Sequence, residues 1–455
     1  MKGQLKYFIW VLGCQMNESD AERVAAVLEY LGYQKTKSED AADLIVVMAC
    51  SVRQKAIDRI LGKYRKWNLI KKKRKLVTVL SGCILPDDKP KMGKIFDVIF
   101  EMKDLAKLPK LLKQKAESRF ADYLKIVPLY NSSFQAFVPI STGCNNFCTY
   151  CAVPLTKGRE KSRPEKEILK EAEALVKKGY KEITLLGQNV NSYGNDLIKK
   201  GENYKNYNFP NLLKKINAIP GKFWIRFLTS NPYDMSDELI KAVKNLEKVC
   251  EYIHLPVQAG NDEVLKRMNR RYTAKHYLSL IGKIKKEIPG VAITTDTIVG
   301  FPGETKSQFS DTLDLYNKVG YDMAFIAQYS PRPGTVAYRM KDDVLKEEKK
   351  RREEALTKIL RKTALKNNKK YIGKEVEVLV YKKRKEFFLG RTRTFKLVQF
   401  TPLEISRSKR LSPSRRKRES GFLMGLRGAK DLIGEFIKVK ITSVTPWAMK
   451  GKLIK

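Results

Sequence analysis

The residues best suited to chemistry are three cysteines on one short segment. Residues 143–151 read GCNNFCTYC and place Cys144, Cys148 and Cys151 in a C-x3-C-x2-C spacing. Three thiolates this close together can hold three irons of a 4Fe–4S cluster, which normally takes four cysteine ligands. A missing fourth ligand leaves one iron open, as in catalytic metal sites that keep a coordination position free. This triplet therefore predicts a cluster that can bind a further molecule.

The open iron of such a cluster suits S-adenosylmethionine as its ligand. The iron can chelate the amino and carboxylate groups, and electron transfer into the sulfonium then yields an adenosyl radical. The alternative is a zinc knuckle, which needs a fourth Cys or His and favours C-x2–4-C pairs. No such fourth residue lies near the triplet. The spacing therefore favours radical chemistry.

Three further cysteines, Cys14, Cys50 and Cys83, each follow a predicted strand. The predicted strands are residues 7–12, 42–48 and 76–80. Helical patterns between them make the sheet parallel, so the three thiols should meet at its carboxyl edge, where ligands bind in such folds. The alternative is three separate core cysteines, since free cysteine is often buried. Glycine precedes Cys14 and Cys83, which indicates turns and favours a shared ligand role.

The pattern of elements predicts an α/β chain of three units. Residues 1–125 alternate strands and helices, as in a parallel sheet covered by helices on both faces. Residues 130–366 hold about six βα units, enough for a partial or full parallel barrel, and they end in a long charged connector helix. Residues 367–455 read as short strands with glycine breaks, which is typical of a small antiparallel β-barrel.

Composition narrows the class of protein. The 455 residues carry a formal net charge of +42 and are 43% hydrophobic, so the chain is not disordered and should have a polyanionic partner. Nucleic acid is the leading candidate, and an anionic membrane surface is second. No apolar run approaches the ~20 residues of a membrane span, and the start lacks a signal-peptide pattern. We therefore expect a cytoplasmic protein whose seven cysteines are thiols or ligands.

Basic residues concentrate in two places. The tail from residue 367 holds 24 Lys and Arg against seven Asp and Glu, and residues 405–418 hold seven basic residues and no acid. The candidate RNA contacts are Lys71, Lys72, Lys73, Arg74, Lys75, Arg415, Arg416, Lys417 and Arg418. Any single run can also be a solvated helix end. Phosphate contacts would make affinity fall with salt, by about 0.7–0.9 in log–log slope per contact.

Two other reactive side chains have simpler interpretations. Cys250 follows a predicted helix and is expected to be a buried thiol. His254 lies in a predicted strand, where it either lines the barrel or is a hydrogen-bonded core histidine, and we favour the core. With only two histidines in the chain, a mechanism built on several histidines is disfavoured.

The motifs resemble those of the methylthiotransferases of the radical S-adenosylmethionine superfamily. The similarity covers essentially the whole chain and is greatest to the MiaB type, which thiomethylates isopentenyladenosine at position 37 of tRNA. The matching segments are GCQMN (13–17), CSVRQKA (50–56), GC (82–83), 143–163, LLGQNVNSYG (185–194), HLPVQAGNDEVLKRMNRRYT (254–273), TDTIVGFPGE (295–304), SPRPGT (330–335) and GRT (390–392).

The resemblance implies roles for residues at the matching positions. The N-terminal cysteines would ligate an auxiliary 4Fe–4S cluster, and the triplet would ligate the radical-generating cluster. The candidate S-adenosylmethionine contacts are Gln188, Asn189, Ile298 and Gly300. Residues 367–455 resemble a TRAM domain, a small RNA-binding barrel. The partners would be a tRNA anticodon stem-loop, an electron donor and a sulfur source, and we expect the enzyme to be a monomer.

Replacing hydrogen with sulfur at an aromatic carbon explains why such an enzyme would need two clusters. The adenine C–H bond is neither acidic nor electrophilic enough for acid–base chemistry, so a radical is required. One cluster would supply the radical, and the other would hold the sulfur. In RNA recognition of this kind, the target base is splayed out of a single-stranded loop into the enzyme.

The sequence departs from the family pattern at three places. Met48 and Ala49 precede Cys50 where Asn-Thr is usual, Lys157 stands where arginine is usual, and residues 405–418 are longer than typical. Three alternative functions stay open. They are the same chemistry on threonylcarbamoyladenosine in tRNA, modification of a ribosomal-protein aspartate, and a non-catalytic RNA-binding protein with structural zinc.

Overall fold

The computed structural model describes residues 4–50, 54–114, 122–198, 206–384, 386–401 and 432–454. Its strands are β1 (Lys6–Leu12), β2 (Gln34–Lys35), β3 (Leu44–Cys50), β4 (Val77–Cys83), β5 (Val98–Ile99), β6 (Gln135–Pro139), β7 (Ser141–Thr142), β8 (Lys161–Ser162), β9 (Glu182–Leu186), β10 (Trp224–Leu228), β11 (Tyr252–His254), β12 (Ala292–Val299), β13 (Met323–Gln328), β14 (Glu375–Arg384), β15 (Phe387–Thr392), β16 (Leu397–Thr401), β17 (Phe436–Val444) and β18 (Met449–Leu453). Its helices are α1 (Gln15–Tyr30), α2 (Gln54–Lys73), α3 (Lys89–Gly93), α4 (Leu108–Leu111), α5 (Val153–Thr156), α6 (Glu165–Lys177), α7 (Asn195–Ile198), α8 (Phe209–Ala218), α9 (Asp237–Asn245), α10 (Asp262–Arg267), α11 (Ala274–Glu287), α12 (Lys306–Val319) and α13 (Lys346–Lys369).

The N-terminal region is a parallel sheet with the strand order β2-β1-β3-β4-β5. The central strand β3 reads LIVVMAC and is buried up to its last residue, because helices cover both faces of the sheet. Val24 and Leu28 of α1 pack on one face, and Ile60 and Trp67 of α2 pack on the other. The predicted parallel sheet is therefore confirmed.

One detail of this sheet differs from the prediction. Cys50 and Cys83 are the last residues of β3 and β4, whereas the sequence placed each cysteine just past its strand. The ladder between the two strands continues to the Cys50–Cys83 pair because Gly82, at φ +107°, fits beside the Ala49 backbone. A Cβ at position 82 would lie 2.2 Å from the Ala49 carbonyl oxygen.

The central region holds two parallel three-stranded sheets, β10-β9-β6 and β11-β12-β13. They join where Ile225 of β10 bridges to Val249 just before β11. Among the described residues, β6 and β13 form the two outer edges, so the barrel is open. This fits the partial barrel that six βα units predict.

Strand register decides which side chains face the interior of this open barrel. Ile253, Ile293 and Val299 pack with the outer helices in the core. Residues on the opposite face of these strands contact one another: Nε2 of His254 lies 3.4 Å from Oδ2 of Asp296, and the His254 ring contacts Phe325. Successive strand residues alternate faces, so these three side chains line the interior.

The C-terminal strands close into a barrel with the order β14-β15-β16-β18-β17. Its pairs are antiparallel as predicted, except that β16 and β18 run parallel. This barrel docks against the amino ends of the central strands, where Trp224 packs on Phe436 and Tyr252 packs on Phe395. The long charged helix α13 does more than connect the two barrels. It buries Leu356 and Leu360 in the central core. None of the described helices is long and apolar enough to cross a membrane.

Candidate cluster sites

The cysteine triplet lies in the loop that follows the first strands of the central barrel. Gly143, at φ +76°, starts the loop, and a Cβ there would lie 2.1 Å from the carbonyl oxygen of Arg159. The Cys144 amide donates to the carbonyl of Gly158 at 3.2 Å. The loop is therefore folded tightly against residues 158–159, and only glycine fits at position 143.

Each thiol of the triplet accepts an N–H hydrogen bond. Asn146 Nδ2 lies 3.4 Å from Cys144 Sγ, and the Val153 amide lies 3.4 Å from Cys151 Sγ. Arg270 donates from a guanidinium nitrogen to Cys148 Sγ at 3.3 Å. Hydrogen bonds to sulfur are among the contacts that orient and tune iron–sulfur ligands. The donor set therefore fits a cluster held by these three thiols.

A second loop, which begins at the end of α10, holds the triplet in place. Thr149 donates through Oγ1 to the Arg267 carbonyl at 2.8 Å, and Asn269 Nδ2 donates to the Phe147 carbonyl at 2.9 Å. Arg270, from the same loop, also donates to the Pro256 carbonyl and is half-buried. Sequence reasoning missed Arg270 as a site residue, although it lies inside the quoted segment 254–273.

The N-terminal cysteines also come together. Cys50 and Cys83 are register partners on adjacent strands, and their thiols are hydrogen bonded to each other. That hydrogen bond, together with burial, raises the pKa of Cys83 well above its usual value. Burial also raises the pKa of Cys14, and the neighbouring Cys83 adds to this effect. The three thiols thus meet at the carboxyl edge of the sheet.

Asn17 organises the three turns that carry these cysteines. Its side chain is fully buried, accepts from the Cys14 thiol at 3.5 Å and donates to the Ala49 carbonyl at 3.2 Å. A Cβ on Gly13 or Gly82 would collide with it. Cys14 itself is the N-cap of α1, without a side-chain capping bond.

No single-ion site is formed by these groups. Among the described residues, no three His, Cys, Asp or Glu side chains are placed to hold one metal ion. A 4Fe–4S cluster makes a different demand, because each cysteine binds a different iron.

The predicted S-adenosylmethionine contacts lie on two segments beside the triplet loop. Asn189 is buried and donates to Asp234 at 2.7 Å, while Gln188 beside it is half-buried. Asp234 follows Asn231, which accepts from the same Arg270 side chain that reaches Cys148. This turn is therefore connected to the triplet through one guanidinium.

The other segment contacts the triplet loop through aromatic rings. Phe301 packs edge-on against Tyr150, with ring centroids 6.5 Å apart. Ile298 is partly buried at the end of β12, and Gly300, at φ +67°, lies under the Lys349 side chain. A Cβ at position 300 would lie 2.3 Å from Lys349 Cγ, so this glycine accommodates α13. Ligand contact at these four residues stays a prediction.

The predicted RNA contacts in the run 71–75 lie at the far edge of the N-terminal sheet. They precede β4, whereas Cys83 ends it, about 20 Å away along a seven-residue strand. Lys71 pairs with Asp97 at 2.7 Å, and Arg74 donates to the Asp40 carbonyl. Lys72, Lys73 and Lys75 are exposed. Arg415, Arg416, Lys417 and Arg418 lie outside the described residues.

The two remaining reactive residues are both buried. Cys250 packs with Trp224 and Leu379 between the central and C-terminal barrels, and burial raises its pKa to about 12. His254 is hydrogen bonded to Thr294 at 2.9 Å. It is a satisfied buried histidine, as favoured, and it also lines the barrel interior, so the two interpretations are compatible.

Comparison with known proteins agrees with this geometry. Residues 138–316 match the Radical SAM superfamily, and residues 6–101 match the uncharacterized protein family UPF0004. A solved radical S-adenosylmethionine methyltransferase, TsrM from Kitasatospora setae, superposes with a TM-score of 0.53 at 12% identity, covering 74% of this chain and 77% of its own. The cobalamin-dependent radical enzyme OxsB gives a TM-score of 0.50 at 12% identity, covering 78% and 56%.

Curated relatives match over almost the full length. The tRNA-2-methylthio-N(6)-dimethylallyladenosine synthase of Thermoanaerobacter pseudethanolicus is 41% identical over 99% of this chain and 93% of its own. The proteins of the same name from Clostridium tetani and Caldicellulosiruptor saccharolyticus are 40% and 45% identical. They cover 98% and 86% of this chain, and 96% and 86% of their own lengths.

An open parallel barrel with a cysteine triplet after its first strand defines a radical S-adenosylmethionine enzyme, whose cofactors are a 4Fe–4S cluster and S-adenosylmethionine. With an N-terminal UPF0004 region before it, the enzyme is of the methylthiotransferase type. The chain belongs to the family of the tRNA-2-methylthio-N(6)-dimethylallyladenosine synthases. The expected fold class and family are thereby confirmed, and a non-catalytic zinc protein is not supported.

Proposed function

We propose that this chain replaces the hydrogen on carbon 2 of adenine with a methylthio group in tRNA that carries isopentenyladenosine at position 37. The observation that carries the proposal is the presence of two separate sets of three thiols on two docked domains. Two clusters with one open position each are what the chemistry requires. The names of the relatives supply the substrate.

Each set of cysteines would hold a cluster with its own function. Cys144, Cys148 and Cys151 would hold the radical-generating cluster, and Cys14, Cys50 and Cys83 would hold an auxiliary cluster that carries the sulfur. When bound, the first cluster supplies an electron to S-adenosylmethionine, and the second supplies the sulfur that is methylated and transferred. Arg270 orients Cys148, and Asn17 fixes the turn that presents Cys14. These contacts keep the sulfur atoms of Cys148 and Cys14 in position without the help of a fourth ligand.

The exposed face of the C-terminal barrel suits an RNA backbone. Lys438, Lys440 and Lys450 are exposed on the adjacent strands β17 and β18. A cavity of about 250 Å³ where this barrel meets the central one is lined by Arg391 and the exposed ring of Trp447. Cationic side chains attract phosphates, and an aromatic ring can stack an unpaired base. The anticodon stem-loop is therefore our proposed partner.

Several parts of the proposal rest on the sequence alone. We expect three functional units, 1–125, 130–366 and 367–455, of which the last is TRAM-like. An electron donor and a sulfur source complete the reaction. We further expect a monomer that works in the cytoplasm, where tRNA is modified.

Nucleoside mass spectrometry tests the proposal directly. The full chain, reconstituted anaerobically with iron and sulfide, is incubated with S-adenosylmethionine, a reductant and tRNA that carries one modified adenosine. We expect methylthio product from isopentenyladenosine alone. Product from threonylcarbamoyladenosine alone would keep the chemistry and overturn the substrate. The absence of product from either, with S-adenosylmethionine still cleaved, would overturn the methylthiotransferase assignment.

A further inference from the structure

A lysine of the central barrel reaches across a domain boundary to the N-terminal cysteines. Lys157 follows α5 and comes six residues after Cys151. Its ammonium lies 2.7 Å from Oδ2 of Asp20 in α1, and the two side chains are only 5% and 1% exposed.

The partner of Lys157 connects it to the N-terminal cysteines, because Asp20 lies on α1, six residues after Cys14, the N-cap of that helix. Burial raises the pKa of Cys14, and Lys157 acts against that rise. At Cys83 the hydrogen bond to Cys50 and burial raise the pKa, and Lys157 again acts in the opposite direction. The two segments also share one cavity, which is lined by Thr156, next to Lys157, and by Gly82, next to Cys83. The lysine therefore belongs to the surroundings of the N-terminal cysteines.

Holding the domains together does not explain this pair. Other contacts already join α1 to the central barrel: Ser19 donates to the Phe137 carbonyl, and Arg23 lies 3.6 Å from Glu171. A buried ion pair adds little net stability, because desolvation of the charges offsets their attraction. The feature that distinguishes this pair is the placement of a full positive charge beside thiols in a region of low dielectric constant.

We propose that Lys157 is a positioning residue of the auxiliary cluster, and that its charge raises the reduction potential of that cluster. The inference rests on the auxiliary cluster of the proposed function. A nearby cation stabilises the more negative, reduced form, and net charge is one of the terms that set iron–sulfur potentials. Asp20 acts in the opposite direction and also fixes where the ammonium points. The radical-generating barrel thereby helps to set the redox poise of the sulfur-carrying site.

The test uses the full chain with all three triplet cysteines replaced by alanine, so that any cluster present belongs to the auxiliary site. Iron and sulfide content are measured after anaerobic reconstitution, and the potential is measured by a redox titration followed by electron paramagnetic resonance. In this background K157M should shift the potential to more negative values, and D20N should shift it to more positive values. K157R keeps the charge and should match the parent.

A matched control comes from the same segment. K161M removes the charge of Lys161, whose side chain is 72% exposed and 3.9 Å from Asp122, so screening should leave the potential unchanged. If K157M does not retain its cluster, D20N carries the test through the sign of its shift.

Two results would overturn the inference. In the first, iron content is normal but the potentials of K157M and D20N stay at the parent value or move in the same direction. Lys157 would then have a structural role only. A parent protein without iron would overturn the auxiliary cluster itself, and the inference with it. The iron measurement therefore separates the two failures.

Discussion

At the scale of single residues, the cysteines are matched by side chains that orient them. The half-buried Arg270 donates to Cys148, and the buried Asn17 accepts from Cys14. Neither partner is a ligand, yet each fixes a sulfur that would otherwise rotate freely about its side-chain torsion. The two cysteine sets therefore have separate supports, and their removal should have separate consequences.

Replacing a triplet cysteine should stop radical formation. We expect C144A to lose most iron from the radical-generating site and to release no 5′-deoxyadenosine above background, because a cluster held by two thiols cannot present its open iron reliably. Chromatography of the reaction with S-adenosylmethionine and dithionite measures this. C250S removes a thiol buried far from both sets and should keep the wild-type rate. Wild-type release from C144A would refute the role of Cys144.

Replacing an N-terminal cysteine should preserve S-adenosylmethionine cleavage and stop methylthio transfer. We expect C50A to cleave S-adenosylmethionine at a rate within about threefold of the wild type, because the triplet is intact. Methylthio transfer to tRNA should fall by at least 100-fold, since the sulfur-carrying cluster loses a ligand. The two products are quantified in one reaction by mass spectrometry. Undiminished methylthio product would remove Cys50 from the auxiliary site.

At the scale of elements, helix α1 connects the N-terminal sheet to the central barrel. Its Glu22 carbonyl accepts from the Leu129 amide, and its carboxylate accepts from the Asn131 amide at 2.9 Å. The other carboxylate oxygen is buried without a hydrogen-bond partner in the described structure. Burial raises the pKa of Glu22 to about 7. The junction therefore contains a carboxyl group that stays mostly protonated below about pH 7.

Stability at this junction should depend on pH in a defined direction. Because the folded pKa exceeds the unfolded one, the native chain binds more protons between about pH 4.5 and pH 7, and stability falls as pH rises through that window. We expect the free energy of unfolding of E22Q, relative to wild type, to be higher at pH 8 than at pH 5 by about 2 kcal/mol.

Urea denaturation at the two pH values measures this difference. E173Q removes an exposed carboxylate from α6 and serves as the control, with no change expected between pH 5 and pH 8. A difference between E22Q and wild type that is the same at both pH values would show that Glu22 does not prefer its protonated form in the folded chain.

At the scale of the whole molecule, the three regions meet at opposite ends of the central barrel. At one end, Asp20 of the N-terminal region contacts Lys157, six residues after the triplet, and the C-terminal barrel packs against the other end. At that junction Arg226 of β10 pairs with Glu182 at 2.6 Å and donates to the carbonyls of Thr392 and Arg393. An RNA that contacts the C-terminal barrel must therefore extend along the molecule to present a base to the cysteines.

The lysines of the C-terminal barrel should set the salt dependence of tRNA binding. We expect K438Q/K440Q/K450Q to weaken binding and to lower the slope of log affinity against log salt by about 2, because each phosphate that is no longer bound removes about 0.7–0.9 from the slope. Filter binding between 50 and 300 mM salt measures the slope. The matched control K241Q/K275Q/K318Q removes three exposed lysines from the outer helices and should leave the slope unchanged. Equal slopes for both variants would exclude this face.

The sequence by itself determined the chemistry and the order of the elements. The triplet spacing indicated an open cluster, because three thiolates seven residues apart at most can reach one cubane. Alternation of strands and helices placed Cys14, Cys50 and Cys83 at one sheet edge, because parallel strands share a direction. The ends of the strands were predicted less exactly. β4 extends to Cys83 because Gly82 lets the backbone pairing with β3 continue to that residue.

Only the tertiary structure decided which distant residues serve these sites. Lys157 and Asp20 are 137 positions apart, and Arg270 is 122 positions from Cys148. The hydrophobic periodicity of a helix or strand shows which face it buries. It does not show how the surfaces of two folded domains dock. The same limit applies to the basic run 71–75, whose contact with RNA stays a prediction. Only the structure shows that Lys71 pairs with Asp97 and Arg74 with the Asp40 backbone, at the sheet edge away from the cysteines.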